Sequence, residues 1–271
     1  MKFAICNEIF NGKPIHEVFE YAKNVGYDAV EIAPFTINES VELISSVERK
    51  KIRSSAEKHN ISISGIHWLL VKPPGLHITH SDPSIRNKTS QYLTRLVDFC
   101  ADIGGQFMVL GSPKQRNIPE DSTINDATAR AIEVLSEPVK QAEKRGVVIC
   151  LEPLGPSETN FINTAAEAIA FVKKFNSESF KIILDVKAMC TENKPIPQII
   201  KESWPWFAYF HANDSNLKGP GFGNVDFYPI AKALKDVGYN GFVSVEVFKF
   251  EDGFETIANK SIQYLKKVFA A

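Results

Sequence analysis

Short apolar runs alternate with longer amphipathic stretches along most of the chain. Runs of four to six residues that read as strands lie at Phe3–Cys6, Ala29–Ile32, Ser62–His67, Phe107–Leu110, Val147–Glu152, Lys181–Asp185, Trp206–His211 and Phe242–Glu246. The stretches between them carry helical periodicity. It is clearest over Ser84–Ile103, where Ile85, Tyr92, Leu93, Leu96, Val97 and Cys100 recur near every 3.6 residues. Asp82 is placed to cap that helix, with Pro83 at its first position. Ile124–Arg145 and Asp252–Val268 repeat the pattern, and Gly146 stands where a helix C-cap belongs. Strands alternating with helices imply a parallel sheet with right-handed crossovers. Eight such units close most simply as an α/β fold, a (β/α)8 TIM barrel, in one domain over residues 1–271. An open doubly wound sheet is the rival, but no GxGxxG follows the first strand. Two loops are unusually elaborate. Lys72–Asp82 holds two prolines, a glycine and two histidines, and Asn213–Asp226 holds three glycines and a proline. Both follow strands, which places them on the face where barrel active sites lie.

Composition narrows the function. The 271 residues, 44% hydrophobic and 23% charged, suit a soluble globular barrel. Lys and Arg number 31 against 32 Asp and Glu, so the net charge is 31 − 32 = −1. No basic excess exists to neutralise phosphates along a duplex, and a nucleic-acid partner is not expected. Cys6, Cys100, Cys150 and Cys190 form no CxxC pair. That argues against a disulfide framework or zinc ribbon, and reduced thiols fit a cytoplasmic chain. The opening MKFAICNEIF turns polar too early for a secretory segment, and no apolar run approaches ~18 residues, so no membrane span is expected.

Four consecutive strands end in a ligand-type side chain. The apolar runs finish at Glu152, Asp185, His211 and Glu246, at steps of 33, 26 and 35 residues, each about one βα unit. The same rim therefore receives three carboxylates and an imidazole. Buried alone, such groups are costly, and three carboxylates repel one another. A divalent cation removes the repulsion, and the mixed oxygen and nitrogen set suits Mn2+, Mg2+ or Co2+, with Zn2+ also admissible.

The segments CLEPLGPSETNFINT, LDVKAMC, YFHANDSN, GPGFGNVDF and VSVEVF resemble the xylose-isomerase-like barrel superfamily, and within it sugar isomerases and epimerases of the ketose 3-epimerase type. The resemblance implies a barrel with one divalent metal held by Glu152, Asp185, His211 and Glu246. It implies that Glu152 and Glu246 are also catalytic. One would take a proton beside the carbonyl of a ketose, the other would return one, and the metal would stabilise the enediolate between. It assigns Glu158 to a sugar hydroxyl. Members are often dimers or tetramers, which leaves a homo-oligomer open. The chain departs from the family twice. Asp185-Val-Lys-Ala188 lacks the imidazole of the usual Asp-x-x-His, and Leu217 stands where an Arg often follows Ser-Asn. Lys187 could replace the missing charge.

Other rim residues are candidate substrate contacts. His67 and Trp68 end the third strand and could wall a sugar, while Glu31 ends the second. Lys114 and Arg116, in Gly-Ser-Pro-Lys-Gln-Arg after the fourth strand, could hold a phosphate or carboxylate, which keeps sugar phosphates open. His77 and His80 are candidates for a lid. The expectation is a metal-dependent isomerase or epimerase of a sugar or sugar phosphate, with a small carbohydrate as partner. A dehydratase of a polyol or keto acid on the same scaffold is the alternative. HANDS resembles the strand-7 motif of apurinic endonucleases, but Ala188 stands where that chemistry needs another histidine. A non-catalytic sugar-binding barrel is disfavoured by the intact ligand set.

Overall fold

The computed structural model describes residues 1–270. Its strands are β1 (Lys2–Cys6), β2 (Ala29–Ile32), β3 (Ser62–Ile66), β4 (Phe107–Leu110), β5 (Val148–Leu151), β6 (Phe180–Asp185), β7 (Phe207–Ala212) and β8 (Phe242–Val245). They pair in chain order, all parallel, and β8 closes onto β1 through Lys2↔Phe242 to Ile5↔Val245. The closed barrel expected from the alternation is the observed fold. The helices expected at Ser84–Ile103 and Asp252–Val268 span Pro83–Asp102 and Phe254–Ala270, and that at Ile124–Arg145 agrees at both ends.

Local chemistry sets the helix ends. In α1 (Ile15–Val25) the stop is Gly26 at φ 102°. In α2 (Ser46–Lys58) Ser45 and Glu48 form a reciprocal capping box. In α3 (Pro83–Asp102) Asp82 accepts from Ser84 N at 2.8 Å, with proline in the first turn. Thr123 and Asp126 box the start of α4 (Ile124–Arg145), and Gly146, at φ 67°, ends it. Thr164 and Glu167 box α5 (Ala165–Val172). The short α6 (Val186–Met189) is capped by Asp185 itself, and α7 (Ile196–Ser203) follows it. Asp226 caps α8 (Phe227–Asp236), and α9 (Phe254–Ala270) completes the ring.

Two apolar layers result. The larger lies between the strands and the surrounding helices. The smaller fills the barrel with Ala4, Ala29, Val109, Cys150, Ile183, Tyr209 and Phe242, one residue from each of seven strands. The remaining strand, β3, approaches β4 so closely that a Cβ on Gly65 would lie 1.9 Å from the Phe107 carbonyl oxygen, so only glycine fits. The plug is a floor. Above it, at the C-terminal ends of the strands, the barrel interior turns polar. Among the described residues, no helix is long and apolar enough to cross a membrane.

Candidate active site and metal centre

The register of the last strands carries the candidate ligands to one level. Asp185 pairs with His211, and His211 with Ser244. Glu152 and Glu246 each stand one residue beyond a strand. Their backbone N–H groups still reach the neighbouring strands, at Leu110 O (3.1 Å) and Ala212 O (3.3 Å). Ligand atoms of Glu152, Asp185, His211 and Glu246 all lie within 4.8 Å of one another, and all four residues are buried.

Glu31 decides which nitrogen of His211 is available. It is fully buried and faces His211 Nε2, with both oxygens at 3.1 Å. Tyr209 Oη (2.9 Å) and Ser244 Oγ (2.6 Å) also donate to it. Burial alone would raise its pKa, yet the His211 and His67 imidazoles hold it down at about 2. Burial would lower the His211 pKa, but Glu31 at Nε2 and Glu246 at Nδ1 outweigh it and raise it well above the usual range. Glu31 holds Nε2, so Nδ1 is the nitrogen turned to the other three residues. Nδ1 faces Glu246 Oε2 at 3.1 Å and Glu152 Oε1 and Asp185 Oδ2 at 4.0 Å.

His211 Nδ1 and Glu246 Oε2, both buried, have no partner but each other. Burial, then the charges of Glu246 and Asp185, push Glu152 up to about 8. Burial also raises Asp185, against Lys187. Asp185 is otherwise well held, accepting from Ala188 N at 2.7 Å and Asn213 Nδ2 at 2.5 Å. An inward-facing ring nitrogen on a buried imidazole, ringed by carboxylates that burial makes costly to ionise, is a set that a divalent cation fits in place of the proton.

A cleft opens above this centre in two parts. The inner cavity, about 20 Å³, is lined by His67, Trp68, Gly111, Glu152, Glu246 and other rim residues. That volume holds little beyond one water or ion. The outer cavity, about 450 Å³, is lined by Ser157, Thr191, Ser215, Leu217 and Cys190. Glu158, Lys187 and Phe248 line both and form the neck. Lys187 Nζ donates to Glu158 at 2.8 Å and sits 4.2 Å from the Phe248 ring centroid. Burial would lower the Lys187 pKa, but Asp185, Glu152 and Glu158 outweigh it and keep the ammonium charged. Trp68 (φ 55°) and Ser112 (φ 47°) at the inner wall, and Leu217 (φ 72°) at the outer, adopt left-handed backbone that side chains disfavour. Such strain persists where surrounding structure over-determines the chain, and it concentrates here at the cleft.

The structure revises several sequence expectations. Arg116 is not free to hold a ligand anion. It is 1% exposed, and its five N–H donors go to backbone carbonyls: Phe161 twice, Ile162, Gly111 and Glu152. It clamps the loop after β4 to the loop after β5. Lys114 is exposed and outside both cavities. The Lys72–Asp82 loop is tied down rather than poised as a lid. Ile78 N donates to Gln115 O (2.8 Å) and Thr79 Oγ1 to Asn117 O (2.6 Å), and burial and then His80 lower the pKa of His77 to about 4. His67, Trp68, Glu158 and Lys187 do line the cleft. Sequence reasoning gave Glu31 no role, although it stands near the end of β2 on the same rim as the candidate ligands. It missed Glu8, which lies beyond β1 and binds His67 Nε2 at 2.9 Å.

Comparison with known proteins gives the family of the fold. Residues 19–268 match the family model described as xylose isomerase-like TIM barrel. The chain belongs to that family. It is 29% identical over 234 residues to a D-psicose 3-epimerase of Agrobacterium fabrum, covering 84% of this chain and 78% of that protein. It is 23% identical over 261 residues to the 3-dehydro-D-guloside 4-epimerase of Escherichia coli, covering 91% and 92%. Among solved structures, the D-psicose 3-epimerase of Clostridium cellulolyticum H10 with D-tagatose superposes with a TM-score of 0.87 over 99% of both chains, at 23% identity.

Proposed function

We propose that this member of the xylose isomerase-like family is a divalent-metal-dependent isomerase or epimerase of an unphosphorylated ketose-type sugar. The observation that carries the proposal is the buried Glu152–Asp185–His211–Glu246 centre at the base of a cleft, in a chain whose relatives are sugar epimerases. Glu152, Asp185, His211 and Glu246 would hold the metal. When bound, it would supply Lewis-acid stabilisation of the charge that develops on substrate oxygens. The other functions fall to the chain. Glu152 and Glu246 border the inner cavity and would act as the base and acid at the reacting carbon. Burial raises the pKa of the Glu152 carboxyl, and a bound dication would draw it back down. Glu158 and Lys187 would bind hydroxyls at the neck, while His67 and Trp68 wall the inner end. The inner cavity is too small for a sugar, so Lys187, Glu158 and Phe248 would have to give way as the reacting carbon enters.

Charge argues against a phosphorylated substrate. Arg116 is spent on carbonyls, Lys114 lies outside the cleft, and Lys187 is already paired to Glu158 among further carboxylates. A second reading is 4-epimerisation of a keto-glycoside. It draws on the E. coli relative and on the outer cavity, whose size lies in the range of small-molecule sites and leaves room for a second unit. The dehydratase alternative gains no support from these relatives.

The test is solvent exchange. The Mn2+-loaded chain, incubated in D2O with a panel of ketohexoses, their 1-phosphates and 3-keto-glycosides, is expected to place deuterium beside the carbonyl of an unphosphorylated substrate. Glu152→Gln and Glu246→Gln should each lower exchange by roughly 10²–10⁴-fold. Full exchange in both variants would exclude the two-glutamate mechanism, and exchange confined to the phosphates would exclude the neutral substrate.

A further inference from the structure

We propose that Glu8, His67 and Glu246 form a second divalent-cation site beside the first, with Glu246 common to both. The inference uses the first centre but does not depend on which sugar is turned over.

Three observations carry it. First, one ligand atom from each of Glu8, His67 and Glu246 lies within 4.8 Å of the other two. Oxygen and nitrogen ligands sit about 2.0–2.2 Å from a small divalent ion, so neighbouring ligands are separated by about 3 Å and opposite ones by about 4.4 Å. The spread fits one ion, and His67 Nε2 to Glu8 Oε2 is already 2.9 Å. Second, Glu8 Oε1 is buried without a hydrogen-bond partner, while His67 faces Glu8 with Nε2 and Glu31 Oε1 with Nδ1 at 3.6 Å. His67 is 1% exposed, and the Glu8 side chain is 10% exposed. Polar atoms buried this deeply are ordinarily satisfied. Third, His67 and Glu246 both line the inner cavity, whose volume of about 20 Å³ is close to that of one water or ion. Glu246 can serve both ions because a carboxylate has two oxygens and about four lone-pair sites.

The neighbouring trio of Cys6, Glu31 and His67 is a poorer host. Glu31 is already engaged by Tyr209, Ser244 and His211. Burial, then the surrounding carboxylates, keep the Cys6 thiol protonated. The hard oxygen-rich set of Glu8 and Glu246 with one imidazole suits Mn2+ or Mg2+.

The test titrates the chelator-treated full chain with Mn2+ alone, by equilibrium dialysis and metal analysis. Two Mn2+ per chain are expected, the second held more weakly. His67→Ala and the near-isosteric Glu8→Gln should each leave one, with the tight site changed less than about threefold. Electron paramagnetic resonance of the doubly loaded chain should differ from twice the singly loaded spectrum, because ions sharing a carboxylate are magnetically coupled. Saturation of the wild type at one Mn2+ overturns the proposal and leaves His67 as an imidazolium between Glu8 and Glu31. Two Mn2+ persisting in both variants overturns it equally. Two ions without exchange on any sugar would leave the second site standing and remove only the reaction reading.

Discussion

At the scale of single residues, polar groups in this cleft are defined by what each one faces. Glu31 touches no cavity, yet it holds His211 by Nε2 and so turns Nδ1 toward the other candidate ligands. Glu31→Gln is therefore expected to weaken Mn2+ binding at the first site by about 10–100-fold while the chain stays folded, as isothermal titration and circular dichroism would show. Arg116 acts on a larger segment. Its guanidinium holds Ile162 in left-handed backbone at φ 64° and grips the Glu152 carbonyl at 2.6 Å. Replacing it with Met would leave four buried carbonyls short of a donor. The expected loss is about 3 kcal/mol or more, read by urea denaturation. Gly111 tests placement rather than stability. A Cβ there would lie 2.2 Å from Glu152 Oε2, a flexible carboxylate end. Gly111→Ala should thus cost turnover while leaving the melting temperature nearly unchanged.

At the scale of elements, the legible part of the chain was its punctuation. Asp82, Pro83 and Gly146 mark helix ends in the sequence and in the structure, because capping is satisfied within a few residues. Ties between elements were not legible. Asp102 on α3 accepts from Arg49 of α2 at 3.0 Å and from Arg145 of α4 at 2.6 Å. Burial would raise the pKa of Asp102, but hydrogen bonds and charge from Arg145 and Arg49 lower it from 3.8. A carboxyl whose folded pKa lies below its unfolded one stabilises the fold above the unfolded value and loses that contribution as pH falls through the folded one. Asp102→Asn should accordingly lower the melting temperature at pH 7, with the gap narrowing as the pH drops below about 4. Solvent screening keeps the effect modest at so exposed a pair. The loop after β4 shows the opposite failure. Its two cations looked like an anion cradle, and only the packing reveals that Arg116 turns inward while Lys114 turns out.

At the scale of the whole molecule, the barrel collects acidic strand ends above an apolar floor, and a bound cation would balance their repulsion. On the proposed reading, metal should stabilise the fold. A ligand at 100 times its dissociation constant adds about 2.7 kcal/mol, or roughly 5–10 °C for a chain of this size. Chelation is expected to lower the melting temperature by about that amount in differential scanning calorimetry, and Mn2+ should restore it. In Asp185→Asn both shifts should shrink, and shifts equal to wild type would argue against the ligand set.

The sequence by itself determined the βα repeat, the single closed barrel, and the delivery of Glu152, Asp185, His211 and Glu246 to one rim. Period and spacing are local properties, and a repeated βα unit carries its strand ends to the same face whatever surrounds them. Only the tertiary structure decided which other side chains meet there. Glu31, His67 and Glu8 come from the first three units, far along the chain from the ligands they face, and no spacing rule links them. The direction of a long side chain such as Arg116 or Lys187 depends on whether carbonyls, carboxylates or water lie within its reach, and that is set when the barrel closes.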